Sequence, residues 1–196
     1  MENWGLVKVG RSVRFNNSSR TRVHISPRVS KRVSRIIVQN LIEDLNEVQF
    51  PKKFLRGVNL VDFSLLRKYV GAYWDNMIQI DASRSKQRRT ILATFVHEVA
   101  HHVDQTMERH AQRGLTEERR KRGHHIHHIA RLNDEEYLAR GFEKYYSRTS
   151  AERELLRRRN PKLHTRITSL NRRYRNKGEE SILASLVEQC QKLILG

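Results

Sequence analysis

The chain is poor in the residues that mark several large protein classes. It has one cysteine, Cys190, among 196 residues. No internal disulfide can form from a single thiol, and no multi-cysteine zinc site can be built. No apolar run approaches the ~20 residues that a membrane-spanning helix needs. The opening residues Met1-Glu2-Asn3-Trp4-Gly5 lack the basic-then-apolar order of a secretory signal. The expected location is therefore intracellular, in the cytoplasm, or virion-associated for a chain of phage origin. Acidic residues are also scarce, 21 Asp and Glu against 39 Lys and Arg, for a formal net charge of +18.

That excess is not evenly spread. Residues 1–35 carry nine basic side chains against one acidic, residues 108–131 seven against three, and residues 148–177 eleven against two. A field of this sign favours polyanions: nucleic acid, an acidic protein surface or anionic lipid. The remainder is ordinary for a globular chain, with 37% hydrophobic and 31% charged residues. At this length one domain with a real core is expected. Composition says nothing of oligomeric state.

Against this background one stretch carries chemistry: Thr94-Phe95-Val96-His97-Glu98-Val99-Ala100-His101-His102-Val103-Asp104. It contains His-Glu-x-x-His, in which two histidines bind a metal and the glutamate serves as general base. At ~100° per residue His97 and His101 lie roughly 40° apart, one turn from each other on one helix face. Their imidazoles can therefore reach one tetrahedral ion. Leu92, Phe95, Val96, Val99, Val103 and Met107 form the opposite, apolar side of that helix, while Asp104 shares the histidine stripe. His102 points about 100° away from His101 and reads as a packing or surface residue.

Around this helix the pattern reads as α+β. Residues 1–30 read as a basic arm, extended and flexible, with turn chemistry at Asn16-Asn17-Ser18-Ser19. Val33, Ile36, Ile37, Leu41 and Leu45 make an amphipathic helix that stops before Pro51. Strand-like runs follow over Val58–Phe63, Tyr69–Trp74 and Met77–Asp81, with a turn at Asp75-Asn76. A small mixed sheet packed on the motif helix is expected, and a strand so placed can hold an extended substrate by main-chain pairing. Residues 108–131, a basic insert with His124, His125, His127 and His128, read as broken helix. One of these histidines is a candidate third ligand.

Asn133 or Asp134 is a natural cap for the next helix, whose Leu138, Phe142 and Tyr145 face a core. A carboxylate from its other face would complete a site of two histidines and one glutamate. Glu135, Glu136 and Glu143 all qualify. Residues 179–196 read as a last amphipathic helix packed on the domain, with Cys190 on its apolar face. The expected organisation is thus the arm at 1–30, a metal-site domain at 31–178 and this helix at 179–196.

Two of these motifs together resemble the gluzincin metallopeptidases, specifically the catalytic domain of anthrax lethal factor and its bacterial and phage relatives. The resemblance rests on His97-Glu98-Val99-Ala100-His101-His102-Val103-Asp104, on Glu136-Tyr137-Leu138-Ala139-Arg140-Gly141-Phe142 with Asn133 three residues before it, and on Asn160-Pro161-Lys162. It covers residues 56–170. It implies a zincin-like domain and a zinc endopeptidase acting on a protein or peptide substrate. It implies Zn²⁺ held by His97, His101 and Glu136, with Glu98 as base and Asp104 orienting a ligand histidine. In one respect the chain departs from the family: Ile129 stands where the family has a tyrosine that stabilises the transition state. His127, His128, Tyr73, Tyr145 and Tyr146 are the candidate substitutes. A second reading makes the basic flanks the functional part. In it they bind DNA or RNA, and the zincin core acts as a local protease or structurally.

Overall fold

The computed structural model describes residues 5–9, 12–15, 21–66, 69–84 and 88–175. Its centre is a six-stranded mixed sheet in the order β1-β2-β3-β4-β6-β5. The strands are β1 (Leu6–Val9), β2 (Ser12–Phe15), β3 (Arg22–Ile25), β4 (Leu60–Ser64), β5 (Gly71–Trp74) and β6 (Met77–Asp81). β4 runs parallel to both β3 and β6, and the remaining pairs are antiparallel. The expected α+β architecture with a mixed sheet is what the chain adopts.

The first thirty residues differ from expectation. Where an extended arm was anticipated, the described residues supply three strands, half of the sheet. The reason is pairing at long range. β3 lies beside β4 with Val23 opposite Val61 and Ile25 opposite Phe63, and Thr21 donates its hydroxyl to the Val58 carbonyl at 2.9 Å. Phe15 is fully buried and meets Phe95 edge to face. Side chains alternate across a strand, so Val61 and Phe63 enter the core while Asp62 takes the other face. There His24 Nδ1 and Gln79 Nε2 bind the two Asp62 oxygens at 2.6 and 3.0 Å.

Among the described residues six α-helices accompany the sheet: α1 (Lys31–Glu47), α2 (Arg88–His102), α3 (Thr116–Arg122), α4 (Asp134–Tyr145), α5 (Ser150–Arg159) and α6 (Pro161–Tyr174). Ser30 caps α1 by accepting from Val33 N–H. α2 is the central helix, packed on β5, β6, α1 and α4. Leu92, Phe95, Val96 and Val99 are all buried, each contributing roughly 1.5–3 kcal/mol through removal from water. A two-residue turn at Asp75-Asn76, both with positive φ, joins β5 to β6, and Asp and Asn tolerate that conformation well. The segment 108–131 is broken helix as expected: α3 followed by short helical turns at Gly123–His125 and Ile129–Arg131. The anticipated helix at 179–196, with Cys190, lies outside the described residues.

Candidate metal centre

α2 and α4 cross so that His97, His101 and Glu136 converge. The position of Glu136 follows from its cap: Asn133 Oδ1 accepts the Glu136 N–H at 2.7 Å, starting α4 with Glu136 in its first turn. The Nε2 atoms of His97 and His101 are 3.1 Å apart. Glu136 Oε2 lies 3.6 Å from His97 Nε2, and its Oε1 lies 3.4 Å from His101 Nε2. Zinc bound tetrahedrally at about 2.0–2.1 Å places neighbouring donors about 3.3 Å apart. The three separations bracket that value, so this group could hold a metal ion. Among the described residues the structure brings together Glu136, not Glu135, Glu143 or a histidine of the 124–128 cluster, with the two motif histidines.

Glu98 lies beside this triangle and is buried. Burial raises its pKa, opposed by His97 and His101. Glycine is required above it: a Cβ on Gly71 of β5 would stand 2.4 Å from Thr94 Cγ2 and 2.8 Å from Glu98 Oε1. β5 is an edge strand of the sheet, paired among the described residues with β6 alone. A cavity of about 650 Å³ opens here, lined by Tyr69, Gly71, Thr94, Glu98, Ile129 and Arg148 among others.

His97 is fixed by a residue whose role sequence reasoning did not identify. Its Nδ1 is 2.7 Å from Glu143 Oε1, and Arg140 Nη1 donates to the same oxygen at 2.7 Å. Burial disfavours charge on His97, yet bonds to Glu136 and Glu143 outweigh it and push the pKa up to about 9. The same contacts with His101 and His97 hold Glu136 well below the usual carboxylate range. The resemblance gave the orienting role to Asp104, and here the structure corrects it. α2 ends at His102, and Val103–Met107 continue as a wider π turn. The buried Asp104 carboxylate accepts from the backbone and side chain of Gln112 at 3.1 and 3.2 Å instead.

His102, expected to be a packing or surface residue, is fully buried. Its Nε2 donates to the Arg56 carbonyl at 2.9 Å and its Nδ1 accepts from the Tyr73 hydroxyl at 2.9 Å. Desolvation lowers its pKa, consistent with a neutral ring. Tyr73 is thereby committed elsewhere, and Tyr146 likewise donates to Asn171 Oδ1 at 2.9 Å. Neither hydroxyl turns toward the triangle. His127 has its Nδ1 occupied by the Ile129 N–H, and Ile129 itself lines the cavity.

A family model described as "Anthrax toxin lethal factor, N- and C-terminal domain" matches residues 35–170. The chain belongs to that family. The match takes in most of α1 as well as the stretch 56–170 on which the sequence resemblance rests, and it contains both helices of the triangle. No curated protein matches the chain. Among the described residues no helix is long and apolar enough to cross a membrane.

Proposed function

We propose that the chain is a zinc-dependent endopeptidase of the gluzincin type, with His97, His101 and Glu136 as metal ligands and Glu98 as general base. The observation that carries this reading is the spacing of donor atoms from these three residues, 3.1–3.6 Å, with a buried carboxylate beside them. A zinc ion in such a site supplies Lewis acidity, polarising the scissile carbonyl and acidifying water.

The chain's own residues do the rest. β5 offers its free edge to an extended peptide, which sets the scissile bond over α2. Glu98 takes the proton of the attacking water and returns it to the leaving amine. Burial raises its pKa, which makes the carboxylate a stronger base. Glu143 holds the His97 ring through Nδ1, which would leave Nε2 as the ligand atom, the usual arrangement of a carboxylate behind a ligand histidine. We place this activity in a single unit that includes the N-terminal strands, since β3 completes the sheet beside β4.

The test is Glu98→Gln assayed on a peptide library alongside zinc content. Retained zinc with loss of cleavage of about 10²-fold or more is the expected result. A fully active variant would remove Glu98 from the mechanism.

A further inference from the structure

At the C-terminal end of α3 the chain builds a corner that the proposed peptidase chemistry does not use. The C-terminus of α3 meets the junction of α5 and α6, and buried polar groups lock the two together. Asn160, 1% exposed, donates its amide to the Arg122 carbonyl at 3.2 Å and to the Tyr137 hydroxyl at 2.8 Å. Glu118, also buried, accepts the N–H groups of Lys162 and Leu163, both at 2.9 Å, and the Tyr137 hydroxyl at 3.1 Å. The start of α6 is thus already capped, and any anion drawn here meets side chains rather than a helix end.

Those side chains are cationic, and Arg122, Arg159, His124 and His125 crowd one another, with Lys162 following on α6. Arg122 Nη1 reaches over the end of α5 to the Arg159 carbonyl at 3.3 Å. His124 and His125 are exposed, their ring centroids 3.8 Å apart. The His125 pKa is lowered, first by desolvation and then by the neighbouring charges of His124, Arg159 and Arg122. Among the described residues, Arg122, Arg159 and Lys162 have no carboxylate within ion-pair distance. Of the acids nearby, Glu118 is consumed by the backbone, Glu117 pairs with Lys121 and Glu154 with Arg157 and Arg158. Like charges held together on a rigid frame repel, and a polyanion relieves that repulsion.

We propose that this corner, formed by Arg122, His124, His125, Arg159 and Lys162, binds the phosphodiester backbone of a nucleic acid. Arginine favours this partner over a lipid surface: the chain has 28 Arg and 11 Lys among its 39 cations, and guanidinium forks match phosphate oxygens where a membrane needs only point charge. The exposed, paired imidazoles add flat faces on which an unpaired base can stack.

The test measures fluorescence anisotropy of a labelled DNA duplex and a labelled single-stranded RNA through a salt series. Three proteins are compared: the full chain, its Arg122→Gln/Arg159→Gln/Lys162→Gln variant, and a control with the same charge change on α1 and the turn after it, Arg32→Gln/Lys53→Gln/Arg56→Gln. The corner variant is expected to bind about ten-fold more weakly or worse, with a salt slope shallower by about two to three. The control should stay within about three-fold of the parent, with matching thermal unfolding for all three proteins. Equal losses in corner and control variants, or no binding by the parent chain, would overturn the assignment. So would corner-dependent binding to phosphatidylserine vesicles that exceeds binding to either nucleic acid.

Discussion

Glu143 Oε1 stands 2.7 Å from His97 Nδ1 and 2.7 Å from Arg140 Nη1, so one carboxylate oxygen holds the first motif histidine and is itself held by a guanidinium. Removing such a partner leaves the proposed ligand in place but free to rotate. Glu143→Gln should lower zinc affinity by about 10–100-fold, read by competition with a chromogenic chelator. An affinity within about two-fold of the parent would mean that the His97 ring is oriented by other contacts.

Glu136 and Asp104 are the two carboxylates whose roles the structure separates most clearly. Glu136→Ala should reduce bound zinc well below one equivalent at micromolar protein, because a site with three protein ligands falls to two. Asp104→Asn should leave metal affinity unchanged, since its carboxylate accepts from Gln112 and not from either motif histidine. Metal analysis after gel filtration distinguishes the two. Loss of zinc from the Asp104 variant would restore the orienting role that the sequence pattern suggested.

Gly71 is a steric demand rather than a conformational one. A methyl group there would lie 2.8 Å from Glu98 Oε1 and 2.4 Å from Thr94 Cγ2, so either β5 or the Thr94 and Glu98 side chains must give way. Gly71→Ala should leave zinc content intact and lower kcat by about 10²-fold, the scale of a misplaced catalytic group. Unchanged kcat would show that β5 yields without cost to the base.

Tyr146 predicts the alkaline limit of stability. Burial raises its pKa well above that of a free tyrosine, so the unfolded chain loses this proton before the folded one does. Its contribution is therefore fully present below about pH 10 and declines as pH rises beyond it, by at most about 1.4 kcal/mol per pH unit. Tyr146→Phe should give up about 1 kcal/mol at neutral pH through loss of the bond to Asn171. It should also lose stability less steeply than the parent above about pH 10. Urea unfolding at several pH values would check both, and parallel declines would exclude Tyr146 as the group responsible.

Helix periodicity makes α1, α2 and α4 legible in the sequence alone, because each buries a stripe that its own residues display. The Asp75-Asn76 hairpin is legible for the same local reason. β1 to β3 are not. β1 and β2 reach the sheet only through β3, whose parallel partner β4 lies far along the chain, and their basic side chains mask the alternation that this pairing makes meaningful. At the site, His97, Glu98 and His101 announce themselves, and Glu136 follows once the family pattern is recognised. The role of Glu143 depends on how α4 crosses α2, which no spacing within α4 encodes. Asp104 misleads for a related reason. Extrapolating an ideal helix past His102 keeps it on the histidine stripe, whereas the chain there widens into a π turn whose carboxylate serves the loop ahead.

The cap at Asn133 has a consequence for how this chain tolerates change in length. Glu136 and Glu143 are seven residues apart on one helix, about 10.5 Å along its axis, and they reach the two sides of His97. Inserting or deleting a single residue between them would rotate one away by about 100°. Between His101 and Asn133 no such accounting applies, because α4 restarts its own register at the cap. Relatives should therefore differ freely in the length of the 108–131 connection while keeping the count from Asn133 to Glu143 fixed.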